Sequence, residues 1–300
     1  MGDLPDIRRA AVAHHVVSAS SRSARPADAV PASPVVAEPA APPSGPSLAH
    51  TEQVMGTAVS FALRFGVDVA EASARASLER ALFLLHEADE VFSLYKPASP
   101  ASRLARGEIA VKDAPPQVAE VIALCQQARE LTEGFFDPWA MPGGLDMSGL
   151  VKGWAARRAL RALLDGGLES GLLNAGGDIA TVGEPAPGKP WRLGLRHPAA
   201  EGRLLGIVEL RGAGALATSG SYERGAHILT PQGRPAVALA AASVLGPDLM
   251  LADVLATALI ASGGALLPRL SRLEGYEALI VGARGALWAT EGFAARFVAA

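Results

Sequence analysis

Asp253 and Thr257, in the stretch LADVLATAL, stand four residues apart in an apolar-periodic run. On a helix that spacing puts both side chains on one face. One oxygen is anionic and the other neutral. That pairing suits a hard cation such as Mg2+, which takes few protein ligands and completes its shell with water and phosphate. The same two residues also fit a structural part, an aspartate near a helix start and a threonine bonding back to the preceding turn. A second candidate is LDMSGLVKGWAARRALRALL, residues 145–164, where a polar, glycine-containing opening runs into a helical pattern. Free backbone N–H groups and the dipole make such an opening attractive to anions. Asp146 stands just before it and Lys152 lies in its first turns. The lysine precedes the glycine, so the order of a Walker A loop is absent.

Further residues could contribute. Thr218-Ser219-Gly220 offers hydroxyls and backbone N–H groups after a strand-like run, and His227 follows close by. A histidine within reach of a hydroxyl can act as general base, although a hydrogen-bonded strand histidine fits the pattern too. In LLNAGGDIATVGE an apolar strand ends at Asn174, and Gly176-Gly177-Asp178 provides either a close approach to a ligand or a plain turn. Asp137 precedes a proline, which favours extended or turn geometry. Ser93, Tyr95, Ser99, Ser102 and Arg103 follow a helical stretch. No G-x-S-x-G elbow is present, so a Ser-His-Asp hydrolase is not supported. The single cysteine, Cys125, excludes disulfide frameworks and zinc clusters and fits a buried helical position.

These residues need a scaffold. The chain has 300 residues, 50% of them hydrophobic, with formal net charge -3. That is enough for a large core, and without a basic block nothing points to nucleic acid. Residues 1–49 read as a disordered Pro/Ala-rich tail and 50–300 as one compact domain. The start is acidic and its apolar run is broken by His14 and His15, which argues against a secretory signal and for a cytoplasmic chain. The most membrane-like stretch, residues 249–268, contains Asp253 and reads as a buried soluble helix, so no membrane anchor is expected. Alternation predicts a strand over QVMGTAVSFALRF and further strands at GLLNAGG, WRLGLRH, LLGIVEL, GALATSG, HILTP and AVALAAASVL. Helical periodicity covers about 68–95, 116–133, 149–164, 249–262 and 264–273, and a hairpin closes the chain from YEALIVGA to GALWATEGF. Strands in runs and helices in runs predict an α+β fold.

Taken in order, MGTAVSF, DEVFSLYKPASPASRL, GFFDP, LDMSGLVKGWAARRAL, NAGGDIATVG, TSGSYER, HILTPQGRP and ADVLATAL resemble the ApbE family of FAD:protein FMN transferases. The resemblance spans about residues 51–293. It implies an ApbE-like fold, with mixed or antiparallel sheets packed against helices, and FAD as substrate with Mg2+ as cofactor. It also implies transfer of FMN to a Ser or Thr of an acceptor flavoprotein, with release of AMP. By the same resemblance FAD lies at the mouth of the 149–164 helix, with Asp146 and Lys152 against it. Met55, Gly56, Thr57 and Tyr95 match flavin- or adenine-contacting stretches, as do Phe135, Phe136, Asp137 and Ile228. The Gly149 carbonyl, Asp253 and Thr257 match metal ligands, and His227 matches the motif histidine, the candidate base. Thr230 stands where the family motif has an aspartate, and Gly149 where alanine or threonine is common. Two other readings share these residues: an Mg2+-dependent FAD pyrophosphatase, with water in place of the acceptor, and a non-catalytic flavin carrier.

Overall fold

A computed structural model describes residues 45–141, 143–220 and 228–300. The chain opens with strands β1 (Ser47–Val54) and β2 (Thr57–Phe65), then helices α1 (Glu71–Phe92), α2 (Pro100–Ala105), α3 (Pro116–Leu131) and α4 (Ser148–Asp165). Strands β3 (Leu168–Ala175), β4 (Asp178–Val182), β5 (Trp191–Arg196), β6 (Leu204–Leu210), β7 (Gly214–Gly220) and β8 (Leu239–Gly246) follow. Helices α5 (Leu249–Ala261) and α6 (Leu267–Leu270) lead to β9 (Glu277–Gly282), β10 (Leu287–Ala289), α7 (Glu291–Ala294) and β11 (Phe297–Ala299).

The strands form an 8-stranded sheet in the order β1-β2-β3-β4-β7-β8-β9-β10 and a 3-stranded sheet in the order β11-β6-β5. Every pairing is antiparallel. Helices α1, α4 and α5 bury their apolar faces on one side of the large sheet. The small sheet covers part of the other side through Trp191, Leu193, Leu195, Val208 and Leu210, with Leu216, Leu245 and Leu279 opposite. The α+β expectation therefore holds, as a three-layer arrangement.

The two faces of the central strands have different side chains. Ala215, Ala217, Ala242, Val244 and Ala278 belong to the helix-side core, whereas Leu216, Leu245 and Leu279 point into the small-sheet core. Small residues on the helix side let α5 lie close against the sheet. The crossing of α4 and α5 is also tight: a methyl group on Gly153 would sit 2.5 Å from Met250 Cα. Nearly every residue of α5 is buried, including Asp253, which is 5% exposed. Carboxylates are rarely so buried without a specific use.

The structure departs from the expected elements in several places. The strand predicted over QVMGTAVSFALRF is a hairpin, because Met55 and Gly56 adopt positive φ (54° and 69°) between Val54 and its partner Thr57. Such a two-residue turn matches the twist of paired strands. β1 opens at Ser47, ahead of the expected domain boundary at 50, because Ser47 pairs with Arg64. Residues 1–44 of the expected tail lie outside the described residues. The helix expected at 264–273 shortens to Leu267–Leu270, since Gly263 and Gly264 have positive φ and Pro268 admits only a first-turn position. In HILTP the described residues make only the isolated bridge Leu229–Pro235. β4 and β11 were not anticipated.

Candidate active site

Two tight turns and two helices meet at one end of the large sheet. The β1–β2 turn at Met55–Gly56 and the β3–β4 turn at Gly176–Gly177 both lie at this end, because β2 and β3 run antiparallel from Thr57 and to Ala175. Gly176 and Gly177 have φ of 63° and 102°. A side chain at Gly176 would collide with the Thr57 hydroxyl, so the two turns touch only because that residue is glycine. The Gly176 N–H donates to the Ala58 carbonyl at 3.0 Å, and the Gly177 N–H to Asn174 Oδ1 at 2.8 Å.

Asp178 opens β4 immediately after this turn and is 2% exposed. Its Oδ1 accepts the Thr218 N–H of β7 at 3.0 Å. Its Oδ2 forms an ion pair with Lys152 Nζ of α4. The same ammonium lies 3.5 Å from Asp253 Oδ2 of α5. Lys152 thus bridges two buried carboxylates that come from a sheet and a helix. One turn along α5, the Thr257 and Ser219 hydroxyls lie 3.0 Å apart, and the Thr218 and Ser243 hydroxyls meet at 2.9 Å. The Ser219–Thr257 contact ties the end of β7 to α5, whereas the Thr218–Ser243 contact joins β7 to β8 on the opposite face of the sheet. Thr257 is turned toward Ser219, so its hydroxyl serves a contact between elements.

The amino end of α4 stands beside this cluster. Asp146 Oδ1 accepts the Ser148 N–H at 2.8 Å, and the Asp146 N–H donates to the Pro138 carbonyl at 2.9 Å. A carboxylate here is favoured by the helix dipole. The contact also ties the helix mouth to the Phe135-Phe136-Asp137 turn. A methyl group on Gly149 would lie 3.2 Å from the ring of Phe136, so glycine lets the ring pack against the helix start. Asp137 is occupied locally: Oδ2 takes Arg129 Nε at 2.8 Å and Oδ1 takes the Trp139 N–H at 3.0 Å. Ile228 packs on the main core, and its carbonyl accepts the Ala236 N–H at 2.9 Å. Tyr95 lies on the loop between α1 and α2, 97% exposed. His227 lies outside the described residues. Cys125 is buried, and desolvation, with the Asp146 charge second, pushes its thiol up to about 12, so it is no nucleophile.

Sequence reasoning left Asp178 out of the site. The available signal was an acid directly after a glycine pair that closes an apolar strand; its burial and its partner on α4 come only from the fold. Among the described residues no group of three or more His, Cys, Asp or Glu side chains is placed to hold a metal. The oxygen groups gathered here are instead the Asp178 and Asp253 carboxylates and the Ser219 and Thr257 hydroxyls. That set fits a hard cation which keeps much of its water, and not zinc or another thiolate- or imidazole-seeking ion. No helix among the described residues is long and apolar enough to cross a membrane.

Comparison with known proteins agrees with this architecture. The profile described as the ApbE family matches residues 55–143 and 140–280. A FAD:protein FMN transferase of Rhodobacter capsulatus is 34% identical over 165 residues, covering 52% of this chain and 31% of that protein. One from Salmonella typhimurium is 31% identical over 148 residues, covering 46% of this chain and 42% of that protein. The matched segments thus span less than half the length of these curated relatives. Among solved structures, the ApbE protein of Thermotoga maritima superimposes with a TM-score of 0.72 at 23% identity, covering 84% of this chain and 99% of that one. The flavin transferase ApbE of Vibrio cholerae gives 0.69 at 21%, covering 85% and 100%. With the profile match running through both tight turns, the α4 mouth and the Asp253–Thr257 face, the chain belongs to the ApbE family.

Proposed function

We propose that the protein is an Mg2+-dependent FAD:protein FMN transferase. The observation that carries this reading is the Lys152 ammonium set between the buried Asp178 and Asp253, beside the amino end of α4. One ammonium between two carboxylates leaves a net negative charge that a divalent cation would balance, and the helix mouth offers its N–H groups to a pyrophosphate. The names of the matched relatives point to the same substrate.

In this reading FAD lies along the helix mouth. The turn Met55–Thr57, Tyr95 and the Phe135-Phe136-Asp137 turn receive its planar rings, together with Ile228. Asp253, Thr257 and the Gly149 carbonyl would hold Mg2+, which when bound would supply charge neutralisation on the pyrophosphate. The acceptor's Ser or Thr oxygen attacks the FMN-side phosphorus. The bond from that phosphorus to the bridging oxygen breaks, and AMP departs with the electron pair. The acceptor's proton passes to His227. Lys152 and the free N–H groups of α4 offset charge on the pyrophosphate oxygens as it develops. A phosphoester bond then joins FMN to the acceptor protein.

The test is AMP release from FAD by the purified protein with an acceptor present, with and without Mg2+, and in Asp253→Ala. Mg2+-dependent AMP equal to the flavin fixed on protein, lost in the variant, supports transfer. AMP with free FMN and no protein-bound flavin identifies a pyrophosphatase. No AMP at all, with FAD retained, identifies a carrier.

A further inference from the structure

We propose that the cleft between the end of α3 and Trp139 takes a Lys or Arg side chain of the acceptor protein, from the extended segment that carries the Ser or Thr to be modified. The inference rests on the transferase reading and adds to it which acceptor segments the protein selects.

The cleft is an open hollow of about 550 Å3 lined by Gln126, Arg129, Glu130 and Trp139. Gln126 stands three residues from Arg129 and four from Glu130, which puts all three on one face of the last turns of α3. Trp139 supplies the opposite wall, and a single carboxylate joins the two. Asp137 Oδ2 accepts the Arg129 Nε–H at 2.8 Å, and its Oδ1 accepts the Trp139 N–H at 3.0 Å. The hollow adjoins the place that the proposed function gives to FAD. The carbonyl of Pro138, next to Trp139, receives the Asp146 N–H, and Asp146 Oδ1 receives the Ser148 N–H at the mouth of α4. A protein that brings a hydroxyl to this mouth lays its chain across the rim, and the hollow is part of that rim.

The lining suits a cation. Trp139 is 39% exposed, whereas Trp154 and Trp191 are buried and give their indole N–H groups to Glu120 and to the Gly183 carbonyl. An indole face attracts an ammonium or guanidinium through its quadrupole, more strongly than the ring of Tyr or Phe. The charges point the same way. Arg129 is balanced by Asp137, and the next cation, Arg269, is held by Glu133. Glu130 has no ion-pair partner among the described residues. One negative charge is therefore left over beside an aromatic face. An acidic side chain would be repelled here, and an apolar one would leave Glu130 unanswered. A basic side chain satisfies both walls, its stem along the indole and its head toward Glu130.

The experiment uses the full chain with FAD, Mg2+ and short synthetic peptides in which a central Thr is flanked by Ala, with Lys, Arg or Asp placed at each flanking position in turn. Flavin joined to peptide is read by mass spectrometry, and AMP is measured alongside. The expected result is that Lys or Arg at one flanking position lowers KM about tenfold against the Ala peptide, and Asp does not. Glu130→Gln and Trp139→Ala should each remove most of that preference while labelling of the Ala peptide stays as it was. Glu130→Lys should turn the preference toward Asp at the same position, which a loss of folding would not do. Equal labelling whatever the flanking residue overturns the inference, as does a preference for Lys that survives in both Glu130→Gln and Trp139→Ala. Labelling of whole proteins but of no peptide overturns it as well, since the cleft would then read no extended segment. AMP without flavin on any peptide or protein, or no AMP at all, overturns the transferase reading and this inference with it.

Discussion

Among the described residues two lysines each lie between two carboxylates, in very different surroundings. Lys96 pairs with Asp89 and with Glu90 at 2.7 Å, and the side chains are 38%, 19% and 73% exposed. Lys152 pairs with Asp178 and with Asp253, where the side chains are 27%, 3% and 6% exposed. The first trio draws both acids from the end of α1 and its lysine from the loop after it, and water screens it. The second draws one residue each from α4, β4 and α5. Exposed ion pairs are worth between zero and about 1 kcal/mol. Burying a charge costs several kcal/mol, which only good geometry offsets. The Lys96 trio is therefore a surface contact that the fold would hardly miss. The Lys152 trio is a costly arrangement, as expected of a place where charge is put to use.

Substitutions should separate the two trios. Asp253→Ala should reduce Mg2+-dependent FAD cleavage by a factor of about 1,000 or more, on the scale of removing a main stabiliser of transition-state charge. The fold should persist, because Lys152 keeps Asp178; steady-state AMP release and circular dichroism check both parts. Lys152→Met should lower kcat about 100-fold, whereas Lys96→Met should stay within about twofold, because surface side chains away from the chemistry rarely matter. Asp178→Ala should destabilise by about 3 kcal/mol in urea unfolding, since it strands the Thr218 N–H and displaces the lysine. Asp89→Ala should cost less than about 1 kcal/mol. An equal loss at both positions would erase the distinction drawn here. The smallest effect is expected from deleting residues 1–44, which should leave FAD turnover unchanged; a large loss would show that the Pro/Ala-rich segment takes part.

Much of this was legible in the sequence where the signal is local. Helices α1, α3 and α4 follow apolar periodicity, α5 is an apolar run buried nearly all round, and β5 follows strict alternation. The spacing of Asp253 and Thr257 put both on one helix face, but it fitted a structural role as well, and the metal reading came from the family resemblance. The β1–β2 turn was hidden because Met55 carries no turn preference and Gly56 alone reads as a strand glycine. β4 was hidden because the glycine pair before it looked like the end of a strand. At β7 to β9 both faces are covered, so alternation is replaced by a division of residue size: alanine toward α5, leucine toward the small sheet. The partnership of Lys152 with Asp178 is the plainest case of what a sequence conceals. The two residues lie on different elements, and only the registers from β3 through β4 to β7 bring the acid under α4. Placing Lys152 against FAD came from the family resemblance; its carboxylate neighbours came from the fold.

The central claim is that this site transfers FMN to protein. The most direct measurement is to incubate the purified chain with FAD, Mg2+ and candidate acceptor proteins, separate the products on a denaturing gel, and read flavin fluorescence. The account predicts a fluorescent acceptor band that requires Mg2+ and disappears in Asp253→Ala. FMN and AMP in solution with no labelled band, or a band indifferent to Mg2+ and to Asp253, would contradict it.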